Sequence, residues 1–260
     1  MLAYAANITQ LYRDRPLAER YRLIADAGFR AYELLFPQRE NLEEVIELQR
    51  HFGLRLALFD LEAEPDHPRG LLSAPDEDRF LYRLEEALGL ARRLDCRRLN
   101  VLAGLRRPDL DDEAQTALVV DRLRRAGDLA ARDGVLLTIE ALNVHDAPGY
   151  FVNSSRKGFE IVRRVERPNV LFQYDYYHLQ IMEGNLISTV RENVGLIGHV
   201  QVADVPGRLE PGTGEINYPN VLRALDATDY TGYVGLEHGI SSPDADPFAW
   251  LPREERARTL

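Results

Sequence analysis

A chain of 260 residues suits one (β/α)8 barrel of about 250 residues better than two average domains. Its 45 % hydrophobic and 28 % charged residues, 42 acidic against 32 basic for a net charge of −10, describe a globular core and argue against a nucleic-acid or anionic-membrane surface. Cys96 is the sole cysteine and Lys157 the sole lysine, which excludes an internal disulfide and a thiolate metal cluster. It also makes Schiff-base chemistry improbable, because Lys157 lies in Ser154-Ser155-Arg156-Lys157-Gly158 and reads as an exposed helix start.

Short apolar runs alternate with amphipathic ones from end to end. The strands expected in chain order are Leu2–Ile8, Ala31–Phe36, Leu54–Phe59, Arg98–Leu102, Val135–Glu140, Val170–Asp175, Ile197–Ala203 and Tyr233–Glu237. Helix-period stretches fall between them at Leu17–Ala27, Leu42–Phe52, Glu77–Leu94, Glu113–Arg132 and Phe159–Val165, with N-caps at Asp76 and Asp111. Eight strands alternating with helices imply right-handed crossovers and a parallel sheet, read as one α/β domain, a single (β/α)8 TIM barrel over residues 1–260. An open doubly wound sheet is the alternative. Asp60–Ala74 reads as a long loop, and the tail 241–260 is too polar and proline-interrupted for an eighth helix. No charge-free stretch exceeds Met1–Tyr12, too short to span a bilayer and lacking the basic start of a secretory signal. The expectation is a soluble cytoplasmic protein; a homo-oligomer is compatible with the sequence.

The period-2 rule applied to strands five to eight carries the chemistry. Val135, Leu137 and Ile139 face outward, so Glu140 points in. Val170, Phe172 and Tyr174 face outward, so Asp175 points in. Val200 and Val202 leave His199 and Gln201 inward, and Val234 and Leu236 leave Glu237 inward. Four consecutive strands thus end in an inward oxygen donor at the face where barrel active sites sit. One strand-end glutamate commonly caps a helix or makes a surface ion pair; four on one register do not arise that way. Three crowded carboxylates repel unless a cation neutralises them, and a hard divalent ion, Mg2+ or Mn2+, suits oxygen ligands better than Zn2+. Glu33 is also inward and could serve the site or a buried pair, of which the structural role is favoured. His199, one layer below Gln201, reads as a supporting or packing residue rather than a metal ligand. His178 is a candidate substrate contact. Arg208 is the nearest cation to the rim, and Asn100 and Asn143 are further polar candidates. Pro211-Gly212-Thr213-Gly214-Glu215 reads as a turn rather than a phosphate loop, having no Walker lysine.

Ile139-Glu140-Ala141-Leu142-Asn143, the run Gln173 to Gly184 with Asp175-Tyr176-Tyr177-His178 and Met182-Glu183-Gly184, Ile197 to Asp204, and Glu210-Pro211-Gly212-Thr213-Gly214-Glu215-Ile216 resemble the hydroxypyruvate isomerase family of xylose-isomerase-like barrels. The resemblance covers nearly the whole chain apart from the tail. It implies a divalent metal held by Glu140, Asp175, Gln201 and Glu237, with Glu140 and Glu237 as the acid/base pair and His178 and Arg208 as substrate contacts. Arg208 is expected to recognise the carboxylate of a small hydroxy- or oxo-acid. Two departures stand out. The family often has Ile-Glu-Pro where this chain has Ile139-Glu140-Ala141. The family's Asn-Leu-Pro-Ala-Gly is here Asp60-Leu61-Glu62-Ala63-Glu64, which adds negative charge beside the site and bears on the substrate.

The expected reaction interconverts hydroxypyruvate and tartronate semialdehyde through a cis-enediolate whose charge the metal stabilises. The nearest alternatives are a 2-oxo-tetronate isomerase or a ketose 3-epimerase on the same site. Gln201, where sugar epimerases usually carry histidine, favours the isomerase. A DNA-repair phosphoesterase would want clustered histidines and a basic face, and a non-catalytic sugar-acid binder would not need both glutamates.

Overall fold

The computed structural model describes residues 1–260 as a closed barrel of eight parallel strands in sequential order, and the open sheet is excluded. The strands are β1 Ala3–Asn7, β2 Ala31–Glu33, β3 Arg55–Asp60, β4 Arg98–Asn100, β5 Leu136–Glu140, β6 Val170–Asp175, β7 Ile197–Val202 and β8 Tyr233–Leu236. The helices are α1 Leu17–Asp26, α2 Leu42–Phe52, α3 Glu77–Leu94, α4 Asp112–Arg132, α5 Ser155–Val165, α6 Tyr176–Met182, α7 Leu186–Asn193, α8 Tyr218–Asp226 and the single turn α9 Arg253–Arg256. Asp76 and Asp111 cap α3 and α4, accepting from the backbone N–H of Arg79 and Ala114. No helix is long and apolar enough to cross a membrane.

The sequence pattern misses α6, α7 and α8. Tyr176-Tyr177-His178 follows β6 without a spacer, so its aromatics look like a continuing strand or a loop. The tail is mostly irregular but not loose. Phe248 and Leu251 are buried, and the Arg256 guanidinium donates to the carbonyls of Phe248, Leu251 and Ala27, pinning the tail beneath the α1–β2 turn. Lys157 is a correction. It is buried rather than exposed, because its ammonium is held by Asp112 at 2.7 Å, Glu160 at 3.1 Å and the Thr116 hydroxyl at 3.2 Å. It lies outside the cavity described below, and its charge is committed to those partners.

The barrel interior is layered. Ala3, Ala5, Ala31 and Ala57 pack with Tyr233 into a small apolar floor. Above it, Glu33 accepts from Asn7 Nδ2 at 2.8 Å, Gln201 Nε2 at 3.0 Å and His199 Nε2 at 2.6 Å, the structural role its position suggests. Glu33 has room only because Gly235 faces it from β8: a Cβ there would lie 1.9 Å from Glu33 Oε1. Three hydrogen bonds keep the carboxylate from moving aside. Gly235→Ala is therefore expected to cost about 1–3 kcal/mol by overpacking, read from urea unfolding. A loss within the scatter of the wild-type curve would show that this polar layer yields.

Candidate active site

The C-terminal ends of the strands hold the top layer. Asp60, Glu140, Gln173, Gln201 and Glu237 line one cavity of about 140 Å3, with Leu102 and Leu142 in its apolar wall and Arg69, His178 and Arg208 facing into it. Asp175, 1 % exposed, adjoins it, 3.5 Å from His178 Nε2 and 3.6 Å from Arg208 Nη2. The closed barrel therefore brings every site residue expected from the sequence to one place.

Each carboxyl group is oriented by a neighbour. Asn100 Nδ2 donates to Glu140 Oε2 at 2.9 Å. Asp175 ends β6 and caps α6, its Oδ1 accepting from the Tyr177 N–H at 2.8 Å; Oδ2 is buried without a hydrogen-bond partner. Arg208 Nη2 meets Glu237 Oε1 at 2.8 Å. A chain of amides forms the floor: the Thr138 hydroxyl donates to Gln173 Oε1 at 3.0 Å, Gln173 Nε2 to Gln201 Oε1 at 2.7 Å, and Gln201 to Glu33. Gln201 Oε1 thereby accepts one bond and keeps a second lone pair.

The histidine has a defined tautomer. The backbone N–H of Asn143 donates to His178 Nδ1 at 3.2 Å, so Nδ1 is an acceptor and the proton sits on Nε2. The Asn143 side chain adds a second donor, its Nδ2 at 2.7 Å from Nδ1, and is held there by its Oδ1, which accepts from the N–H groups of His145 and Asp146. Burial, with Arg208 and Arg69 nearby, pushes the imidazole pKa well below its usual value. His178 is thus a neutral N–H donor beside Asp175, suited to a substrate oxygen.

Burial dominates the carboxyl groups as well. It raises Glu140 well above the ordinary range, and the charges of Glu237, Asp175 and Asp60 add to it. Burial likewise lifts Glu237 to about 7, with Arg208 opposing. Asp175 and Asp60 are also raised, chiefly by burial. Deprotonating all of them together needs more positive charge than Arg208 supplies. A divalent cation fits: the donors are oxygens, and Asp175 Oδ2 and Asp60 Oδ1 are buried and unpartnered. Ligand atoms of Glu140, Asp175 and His178 lie within 4.8 Å of one another. His178 is the odd member, since its Nε2 carries a proton.

The altered loop after β3 adds less charge to the site than its sequence suggests. Glu62 turns outward to Arg39 at 2.9 Å, and Glu64 is neutralised by Arg79 and Arg83. Only Asp60 enters the cavity. The long motifs are mostly scaffold. Glu183 accepts from the N–H and hydroxyl of Ser155 at the start of α5. The amides of Gly212 and Gly214 donate to Asp204 Oδ2 at 2.8 and 2.9 Å, so the glycine loop binds its own aspartate, and the turn reading holds. Sequence reasoning passed over Arg69, hidden in the long loop. It also passed over Thr138 and Gln173, which the inward register of Glu140 and Asp175 already implies.

The chain matches the family described as xylose isomerase-like TIM barrel over residues 21–259. The 2-oxo-tetronate isomerase of Pectobacterium atrosepticum is 35 % identical over 255 residues, 96 % of this chain and 97 % of that protein. The hydroxypyruvate isomerase of Escherichia coli is 33 % identical over 254 residues, 96 % and 98 % of the two chains. A solved structure from Brucella melitensis, described as AP endonuclease, family 2, superposes with a TM-score of 0.91 at 34 % identity, covering 96 % of this chain and 98 % of that one.

Proposed function

The chain belongs to the hydroxypyruvate and 2-oxo-tetronate isomerase group of the xylose isomerase-like TIM-barrel family, and from that premise we propose that it interconverts hydroxypyruvate and tartronate semialdehyde by proton transfer between adjacent carbons. The observation that carries this reading is the pair Glu140 and Glu237. They are 4 % and 6 % exposed, line one small cavity, and burial raises the proton affinity of both, that of Glu237 to about 7, as a proton-transfer pair requires.

In this reading one glutamate takes the proton from the carbon beside the carbonyl and the other returns a proton to its neighbour. Asn100 aims Glu140 and Arg208 holds Glu237. His178 Nε2–H donates to a substrate oxygen, and Arg208 faces the oxygens at the reacting carbons. A divalent ion, Mg2+ or Mn2+, held by Glu140, Asp175, Gln201 and Glu237 would supply charge stabilisation for those oxygens. Leu102 and Leu142 supply an apolar wall to the cavity, which lowers the local dielectric in which those charges interact.

A second reading, a 2-oxo-tetronate isomerase, is favoured by a specific feature. Arg208 also lines a second cavity of about 380 Å3 with Gln10, Arg13 and Ile240, and an acid with a fourth carbon reaching past Arg208 would find room there. The phosphoesterase alternative, suggested by the description of the Brucella melitensis structure, fits this site less well: His178 is the one histidine in the acidic group, whereas that chemistry wants several nitrogen ligands. The test is a panel of hydroxypyruvate, 2-oxo-tetronates and free ketoses, offered to metal-stripped enzyme and to enzyme restored with Mg2+ or Mn2+. Turnover of 2-oxo acids only after restoration is expected. Turnover confined to ketoses would replace the reading with a 3-epimerase.

A further inference from the structure

The active-site cavity is faced by two arginines in different circumstances. Arg208 is engaged within the site, its Nη2 at 2.8 Å from Glu237 and 3.6 Å from Asp175, while its guanidinium lies over the Tyr177 ring, 5.0 Å from the centroid. Arg69, on the loop after β3, lines the same cavity and makes no ion pair; its guanidinium donates to the backbone carbonyl of Asp146. It is a cation in a carboxylate-rich site whose charge no side chain answers.

Its position is built by the backbone. Gly70 has φ +111°, and a Cβ there would meet the Leu102 carbonyl oxygen at 2.3 Å. Gly104 has φ +86°, and its Cβ would lie 2.6 Å from Ser73 Oγ. The Gly104 N–H donates to the Arg69 carbonyl at 3.0 Å, and the Ser73 N–H to the Ala103 carbonyl at 3.0 Å. Two glycines in conformations that other residues adopt with strain thus let the β3 and β4 loops lie backbone to backbone. That contact fixes the root of the Arg69 side chain at the cavity mouth, beside His178 and the Asp146 loop.

We propose that Arg69, rather than Arg208, binds the carboxylate of the substrate, so that this site selects short 2-oxo acids over neutral ketoses. This rests on the isomerase reading above. A substrate carboxylate placed on Arg208 would sit against Asp175 and Glu237, where like charges repel, and would displace the contact that orients Glu237. Placed on Arg69, which makes no ion pair, it meets a guanidinium that no carboxylate already occupies, beside the apolar wall of Leu102 and Leu142. There a charge-assisted, two-pronged contact is strongest. A neutral ketose leaves the guanidinium without its partner.

The test uses D-glycerate, a three-carbon acid with no carbonyl to isomerise, and glycerol as its neutral counterpart, titrated calorimetrically into the metal-free full-length protein. Arg69→Gln is expected to weaken glycerate binding by about 10- to 100-fold, the scale of lost hydrogen bonds to a charged group, and to collapse the acid-to-neutral preference. Arg69→Lys should recover part of it, and guards against a misfolded glutamine variant. With metal restored and hydroxypyruvate as substrate, the loss should fall mainly on KM rather than kcat. Unchanged glycerate affinity and KM in Arg69→Gln, with wild type active on hydroxypyruvate, would overturn the inference and leave the isomerase reading standing. A wild type that turns over no 2-oxo acid yet binds glycerate through Arg69 would overturn the reading and keep the anchor.

Discussion

Glu140→Gln or Glu237→Gln is expected to lower isomerisation by roughly 10²–10⁴-fold, the usual scale for removing an acid/base group. Each substitution preserves an oxygen that can still accept a hydrogen bond or ligate an ion, but removes the carboxylate that takes or returns a proton. Asn100 still has an oxygen to donate to in Glu140→Gln, and Arg208 still has one in Glu237→Gln, at the expense of the ion pair. Local geometry is therefore largely kept while the chemistry is lost. Metal content measured beside the rate separates this from loss of the ion. In D2O the wild type is expected to incorporate deuterium at the reprotonated carbon. A variant lacking only the returning acid exchanges the substrate proton without completing isomerisation, which identifies the order of the two glutamates. Near-wild-type turnover in either metal-loaded variant would falsify the two-base mechanism.

The second large effect concerns stability without metal. Burial raises Glu237 from 4.5 to about 7 and also lifts Glu140, Asp60 and Asp175. The folded state then binds protons that the unfolded chain has already released. Such groups stabilise the fold fully below their unfolded pKa values, and that contribution disappears as pH rises through the folded ones. Metal-stripped protein should accordingly lose stability from about pH 4.5 upward. The Glu237 shift alone corresponds to about 3 kcal/mol, or roughly 5–10 °C in unfolding midpoint for a domain of this size. A divalent cation replaces the lost protons, so Mn2+ should raise the midpoint much more at pH 8 than at pH 5. Thermal scans in chelator and in Mn2+ at both pH values decide it. A flat profile in chelator, or equal stabilisation by the ion at the two pH values, would refute the buried-carboxylate account.

Much of this site was legible before the fold was known. Alternation within β5, β6, β7 and β8 predicts which of their residues face inward, because a strand's side-chain period is a local property of the chain. Glu140, Asp175, Gln201 and Glu237 follow from it, as does a barrel from eight strand–helix repeats. Helices α2 and α3 agree with their predicted bounds to the residue, since each has an apolar stripe and a side-chain N-cap, Asn41 and Asp76. Tertiary structure decided what depends on closure. Glu33 and Gln201 are 168 residues apart in sequence, and no periodicity foretells that their side chains bond. The His178 proton position depends on an Asn143 amide 35 residues away. Glu62 and Glu64 leave the site because distant arginines take them, and Arg69 enters it because two glycines let separate loops touch. Periodicity tells each residue which way to face; only the closed barrel determines what it faces, and partner and burial together set a buried group's charge.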